Sequence, residues 1–315
     1  MSLCYTIFMD KHFLQTQAWG DFQKSQNHEV FYEETEKYSF LAILDHTPLG
    51  NYLFVPYGPH AQTKKDLKTS ILALKQLAAR KNAIFIRIEP IIKLSNSDIK
   101  SLKLQKTKDI EPKYTQIINL DRPETEIISE IQKEKVRHWR NHKNKKMVVK
   151  TTQDPTKIDI LYNFYAQTAK NNHFIPHDRK YLADQLAQKF ATLYYIELDG
   201  EPIAASIIYD DKTTRYYAHA AADYEHRRFY GNAILVIQMI IDAKAAGKKS
   251  FDLWGVTPSK DPNDPWFGFT SFKKSFGGTE VEYAGTYDLP INPAKYAIYK
   301  ILRQVNLKIR KIIKK

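Results

Sequence analysis

The sequence predicts an α/β (α+β) protein of two similar domains in tandem, each a mixed central sheet flanked by helices. Three observations carry this. At 315 residues the chain is long enough for two ordinary domains, and 43% hydrophobic with 13% aromatic residues is a core-forming composition. In the second half, strings of aromatic and β-branched residues alternate with segments whose apolar residues recur at helical spacing. In the first half the same succession of strands, helix and buried strand recurs without sequence identity, as in a duplicated fold.

Taken in order, a helix near Gln17 to Gln26 leads into the strands HEVFYEE, YSFLAILD and NYLFVPYG. A helix from about Lys64 to Lys81 and the buried strand AIFIRIEP follow. Glu124 to Lys143 reads as one long basic helix, and KMVVKTT, Lys146 to Thr152, as a strand. Asp154-Pro155 then caps a helix to about Asn171, with Ile158, Leu161, Tyr162 and Tyr165 on one face. A helix near Asp178 to Phe190 precedes ATLYYIELDG, EPIAASIIYDD and TTRYYAHAAA, the first two joined by the turn Asp199-Gly200.

A helix from about Asn232 to Ala246 ends at Gly247, and FDLWGV, Phe251 to Val256, is the next strand. Pro258, Pro262 and Pro265 forbid a continued ladder and force a loop. Pro265 opens a helix with Trp266, Phe269, Phe272 and Phe276 on one core-facing side and Gly277-Gly278 as its stop. GTEVEYAGTYDL reads as one last strand. The final helix places Tyr296, Tyr299, Ile301, Leu302, Val305 and Ile309 on a stripe that packs back on the first domain. The expected division is a first domain of residues 1–145, completed by helix 293–315, and a second of residues 146–292.

Composition narrows the functional classes. The single cysteine, Cys4, excludes a disulfide framework and a cysteine-rich metal site, and suits a reducing cytoplasm. The N-terminal stretch has no uninterrupted apolar segment, so neither signal peptide nor anchor is expected. The longest apolar run, Ala233 to Ile241, is far shorter than the ~18 residues that span a bilayer. Net charge is +13, and it is localised: Lys133 to Lys150 holds eight Lys or Arg against Glu134 alone, and Lys295 to Lys315 holds eight against none. The rest of the chain is close to neutral. Two such patches point to an anionic partner: nucleic acid, nucleotide phosphates or an acidic membrane surface.

The second-half order, β-α-α-β-β-β-α-β-α-β, is that of Gcn5-related N-acyltransferases. In that fold a loop of pattern Arg/Gln-x-x-Gly-x-Gly/Ala turns backbone N–H groups toward an acyl donor's phosphates, and Arg228 to Ala233, with Arg228 and Gly231, matches it.

Several strings in order also resemble the FemABX family of peptidoglycan-bridge aminoacyltransferases, tandem folds of this GNAT-like kind. They are FLQTQAWGDFQKS, FIRIEP, KEKVRHWRNHKNKKMVV, NFYAQTAKNNHF, FDLWGV with FKKSFGG, and YAGTYDLPINPAKYAIYKIL. The resemblance implies transfer of an amino acid from aminoacyl-tRNA to a stem-peptide amine of a peptidoglycan precursor, lipid-linked or nucleotide-linked, with no coenzyme A, metal or other cofactor. It assigns Lys273 an electrostatic role at the acyl carbon or tRNA 3′ end, with Phe272 as the wall. Glu89 would hold or deprotonate the acceptor amine; an ion pair with Arg87 or a cap on the following loop is its structural alternative. Precursor binding falls to Lys24, or Gln23 one residue earlier, and to His177 or Arg179 with Tyr181; Tyr217 is a further groove candidate. His177 stands where arginine is expected, which would favour the lipid-linked precursor.

Arg137, Arg140, Lys143, Lys145 and Lys146 are the candidates for tRNA phosphates, which need dense charge and no particular base. Arg303, Lys308, Arg310, Lys311, Lys314 and Lys315 are expected to face anionic lipid, giving a cytoplasmic protein peripheral at the inner membrane face. Two rival functions share these features: an acyl-CoA-dependent N-acyltransferase using the Arg228 loop, and a non-catalytic tRNA- or membrane-binding module.

Overall fold

Strand pairing across long sequence separations organises this computed structural model, which describes residues 11–172 and 176–313, the side chains of 170–172 and 306–313 excepted. The expected Ile309 of the last stripe and the cations Lys308, Arg310, Lys311, Lys314 and Lys315 lie outside the described side chains.

The first unit comprises the residues up to Lys113 together with Tyr283 onward. Its helix α1 (Gln17–Ser25) is capped by the Thr16 side chain, which accepts from the Trp19 N–H. The strands are β1 (Glu29–Glu34), β2 (Tyr38–Thr47), β3 (Gly50–Val55), β4 (His60–Ala61), β5 (Ala83–Ile88), β6 (Gln105–Lys106) and β14 (Tyr287–Pro290). They run in the order β1-β2-β3-β5-β14-β6, with β4 beside β2. β3 and β5 are parallel and are joined through α2 (Lys64–Arg80), which buries Leu67, Ile71, Leu74 and Leu77. The short α3 (Asn96–Leu102) carries a capping box, Ser95 with Asp98.

The second unit is Tyr114–Glu282. Its strands are β7 (Tyr114–Asn119), β8 (Met147–Thr152), β9 (Ala191–Leu198), β10 (Glu201–Asp210), β11 (Thr214–Ala222), β12 (Ser250–Val256) and β13 (Thr279–Glu282). Their order is β13-β7-β12-β11-β10-β9-β8. The parallel pair is β11 and β12, connected by α8 (Gly231–Ala245). That helix is buried along most of its length, with Ile234, Leu235, Val236, Ile237, Met239 and Ile240 in the core. The other helices are α4 (Glu124–Glu130), α5 (Lys133–Asn141), α6 (Asp159–Asn172), α7 (Arg179–Leu186) and α9 (Phe267–Lys274). The chain closes in α10 (Pro293–Ile313), in the first unit.

Both sheets thus repeat one motif: antiparallel strands, then a helical crossover to a parallel neighbour. The tandem α/β architecture matches the expectation, and four details do not. The units divide at Lys113/Tyr114 and Glu282/Tyr283, instead of at 145/146 and 292/293, because β7 pairs with β12 and β13 while β14 pairs with β5. The expected strand GTEVEYAGTYDL is consequently split between the sheets, turning at Gly285 with φ +79°. The expected helix over Glu124 to Lys143 breaks at Ile131 and Gln132. There Ile131 turns extended into the core and the Gln132 N–H donates to the Ser275 carbonyl at 2.9 Å. The aromatic helix buries Phe276 but leaves Trp266 41% and Phe269 38% exposed, so only its C-terminal end joins the core.

Candidate functional site

In the second unit, β11 and β12 are paired over only three residues, from Thr214 with Ser250 to Tyr216 with Asp252. Beyond that point β12 is irregular: its register with β7 shifts between Asp252 and Gly255, and Trp254 adopts φ +61°. A β-branched or bulky residue is held there only by local bonds. Asp252 supplies one: its Oδ1 accepts from the Trp254 N–H at 2.7 Å and from the Thr115 hydroxyl of β7. The bulge leaves the Gly255 carbonyl free to accept from Lys273 Nζ at 2.8 Å. Farther along, the Thr257 N–H donates to Thr270 Oγ1 at 3.0 Å and ties the strand end to α9.

The ionisable pair is poised by its surroundings. Burial lowers the Lys273 amine to about 8, opposed by the charge of Asp252. Burial likewise raises the Asp252 carboxyl to about 6, offset by its bonds to Thr115 and Trp254 and by Lys273. At neutral pH Lys273 is therefore mostly an ammonium, with the Gly255 carbonyl as its acceptor among the described residues and N–H capacity to spare. Its neighbour Lys274 instead pairs with Glu280 at 2.7 Å on the surface. Phe272 packs edge-on to Phe276 and lines an open groove of about 520 Å³ with Gln132, Lys135, Ser271 and Ser275. The wall role expected for Phe272 is compatible with that place.

A second cluster surrounds β10 and β11. Tyr209 Oη and His219 Nε2 are 2.9 Å apart, His177 stacks on Tyr181 at 5.0 Å, and His177 meets His219 edge-on at 5.4 Å. Trp254 lies edge-on to Tyr209 and Tyr216. Burial brings His219 down to about 3 and lowers His177, so both are neutral imidazoles at physiological pH. Arg179 points elsewhere, forming a two-pronged exposed pair with Asp159 at 2.6 Å. Of the expected precursor ligands in this unit, His177 and Tyr181 are thus together and Arg179 is engaged. Tyr217 is 7% exposed within the core cluster, a packing residue and not a groove wall.

At the acyl-donor loop, α8 starts at Gly231 after a left-handed Tyr230, with no side-chain cap. A Cβ on Gly231 would meet Ala204 Cβ at 3.1 Å, so the glycine allows a close approach of helix to sheet. Tyr230 is covered from α5: its hydroxyl donates to Glu134 at 2.8 Å and its ring stacks on His138 at 4.0 Å. Arg228 lies over the Phe229 ring. Arg137, Arg140, Lys143, Lys145 and Lys146 are all exposed and belong to this unit, and among the described residues their ion pairs are the loose ones from Arg137 to Glu134 and Lys146 to Asp199.

In the first unit, Lys24 is exposed on α1 beside Asp21, whereas Gln23 is buried and bonded to His28 at 2.6 Å. That leaves Lys24 as the accessible one of the two. Arg87 pairs two-pronged with Asp288 of β14, at 2.7 and 2.8 Å, and not with Glu89. Glu89, 3% exposed, accepts from the N–H groups of Ile110 and Glu111 and from the Thr286 hydroxyl, and so fixes the following loop. Its neighbour Glu111 is raised to about 8 by burial and by the Glu89 charge. The two carboxyls together retain a proton at neutral pH.

The residues not singled out beforehand are Asp252, Thr115, His219, Tyr209 and Glu111. An acid inside the apolar string FDLWGV was the available signal for Asp252. Among the described residues no group of three or more His, Cys, Asp or Glu could hold a metal ion, and no helix is long and apolar enough to cross a membrane.

The fold is shared with solved structures. The chain superimposes on FemX with a TM-score of 0.80, at 15% identity and over 91% of this chain and 94% of that one. The C-terminal domain of a putative lysylphosphatidylglycerol synthetase from Agrobacterium fabrum gives 0.60, at 12% identity and 92% of each chain. Two α/β units in tandem, as in FemX, are therefore the class of architecture. The FemAB family model matches residues 5–109 and 194–304, well over half of the chain, and the protein belongs to that family. Curated relatives are named lipid II:glycine glycyltransferase. That of Staphylococcus saprophyticus is 24% identical over 127 residues, 40% of this chain and 30% of the relative. That of Staphylococcus haemolyticus is 26% identical over 96 residues, 30% of this chain and 22% of the relative. The match thus spans under a third of either relative.

Proposed function

We infer that the protein is an aminoacyltransferase that moves an amino acid from aminoacyl-tRNA onto a stem-peptide amine of a peptidoglycan precursor, with the lipid-linked precursor as the preferred acceptor. Family membership and the relatives' names support the transfer. The observation that carries the chemistry is Lys273: a half-buried ammonium from α9, held against the bulged strand β12 through one of its three donors.

The ester of a charged tRNA is already activated. The acceptor amine attacks its carbonyl carbon, a C–N bond forms, and the C–O bond to the ribose breaks. The amine proton ends on the released ribose hydroxyl. The protein's part is to position the amine and stabilise the tetrahedral oxyanion. Lys273, charged below about pH 8, supplies that stabilisation, and its charge argues for an electrostatic role rather than proton abstraction. His177 and Tyr181 form a neutral stacking surface, which suits a sugar or peptide better than a pyrophosphate. The exposed cations around α5 suit a tRNA backbone.

The test is mass spectrometry of lipid-linked precursor incubated with the protein and a pool of charged tRNAs. A mass increase of one or more amino-acid residues, abolished by ribonuclease, supports the proposal. No increase with folded protein, together with transfer from an acyl-coenzyme A, would replace it with the coenzyme-dependent reading.

A further inference from the structure

We propose that the outward face of α10 is a docking surface for an anionic lipid bilayer. The helix is held to the first unit by one side only. Tyr296, 3% exposed, packs on Phe85 and donates to Asp288 Oδ2 at 3.0 Å, and Tyr299 packs on the same phenyl ring. Ile301, Leu302 and Val305 were expected to continue that contact. They do not: they are 61%, 43% and 46% exposed, and Ile298 is 49% exposed. At 100° per residue these four form a continuous aliphatic stripe opposite the two tyrosines.

The charges indicate what covers the stripe. No Asp or Glu occurs after Asp288, while the chain from Lys295 onward carries eight Lys or Arg. Lys295 lies on the flank of the stripe, while Lys300 and Arg303 lie on the tyrosine side and bond to the neutral Gln105 and Thr107 of the first unit. None of the three has an ion-pair partner among the described residues. An aliphatic outer face on a helix that has Lys295 at its flank, and that belongs to an acid-free stretch of eight Lys or Arg, matches a helix lying in the plane of a negatively charged membrane. Single-stranded nucleic acid is held by aromatic rings that stack on its bases, and the described outward residues Ile298, Ile301, Leu302 and Val305 are all aliphatic. A second copy would bring two acid-free basic helices together over four side chains, far less than the ~800 Å² per partner of a stable interface.

The measurement is flotation of the full chain with vesicles of phosphatidylcholine alone or with about one-third phosphatidylglycerol, at low and high salt. Wild type should float with the anionic vesicles, and its partitioning should fall by roughly tenfold or more on neutral ones and in high salt. The pair I301S and L302S should lose about tenfold or more on anionic vesicles, while I301L with L302I retains binding. Both sites are exposed, so melting should be unchanged and a loss cannot be ascribed to unfolding. Equal flotation of wild type and I301S/L302S would overturn the proposal. So would a dimer seen by sedimentation that the serine pair dissolves, or weaker RNA binding by the serine pair at unchanged vesicle affinity.

Discussion

Replacing Asp252 by asparagine should separate the charge of this residue from its shape. Asparagine keeps an oxygen able to accept from the Trp254 N–H and the Thr115 hydroxyl, so the bulge and the Gly255 carbonyl stay in place. What it removes is the negative charge that opposes the lowering of Lys273 by burial. An opposite charge at contact range moves a pKa by about one to three units, and the low end applies to a half-exposed amine, so Lys273 should fall from about 8 to about 7. That is roughly 1.4 kcal/mol of preference for the charged form. Near pH 7.5 the protonated fraction would drop from about three-quarters to about one-quarter. If the ammonium is the active form, transfer slows about threefold there and about tenfold well above pH 8, with little change below about pH 6, where Asp252 is itself protonated. Competitive labelling of lysines with acetic anhydride across pH, read peptide by peptide, gives the Lys273 midpoint without any activity measurement. An unchanged or higher midpoint in Asp252→Asn would refute the electrostatic coupling. A lower midpoint with an unmoved rate profile would instead remove Lys273 charge from the chemistry.

Lys273→Ala should cut transfer by about a hundredfold or more, as loss of an oxyanion donor does, and Lys274→Ala by less than about twofold; equal losses would make α9 charged scaffold. Glu111 bears on stability. Its folded value of about 8 lies above the ordinary 4.5, so the folded chain keeps a proton that the unfolded chain loses, and stability falls as pH rises from 4.5 toward 8. Glu111→Gln should therefore raise the melting temperature of the first unit near pH 8, by about 2 kcal/mol in free energy, and leave it unchanged near pH 4. Replacing Arg137, Arg140 and Lys143 by alanine should weaken tRNA binding similarly for every sequence and lower the slope of log affinity against log salt by about two to three.

Local periodicity made the elements legible; it did not reveal their partners. The crossover helices, the FDLWGV strand and the Arg228 loop follow from spacing and turn residues, and all were found where expected. The domain boundaries were not, because β7 and β14 each complete the sheet of a unit lying mostly elsewhere in the sequence. The same long separation hid the Asp252 contact: Thr115 lies 137 residues upstream of it. Helical spacing also identified apolar faces on α9 and α10 without revealing which were covered, so Phe269 and Ile301 were expected inside and lie outside. Lys273 was singled out only through resemblance, since a lysine beside an aromatic residue is ordinarily a surface group.

The duplication places buried charges at matching points of the two sheets, and the two are engaged differently. In each sheet the strand after the crossover bears a buried charge. On β5 it is Arg87, whose guanidinium is met two-pronged by Asp288, with the Tyr296 hydroxyl on the same carboxylate. That pair is closed: donors and acceptors are matched, and it locks β14 and α10 onto the sheet. On β12 the charge is Asp252, whose Oδ1 serves the bulge instead of gripping a cation. Lys273 consequently senses the carboxylate through space while bonding to a neutral carbonyl. A half-buried ammonium with donors left over is costly to the fold, and it is the arrangement needed to receive a developing oxyanion. Completing the second pair in the manner of the first should show this directly. Gly255→Asp, at the residue whose carbonyl holds Lys273, would offer the amine a carboxylate, raise its labelling midpoint above 8, and slow transfer. Faster transfer with the raised midpoint would mean that charge alone, and not spare hydrogen-bonding capacity, is what the site requires.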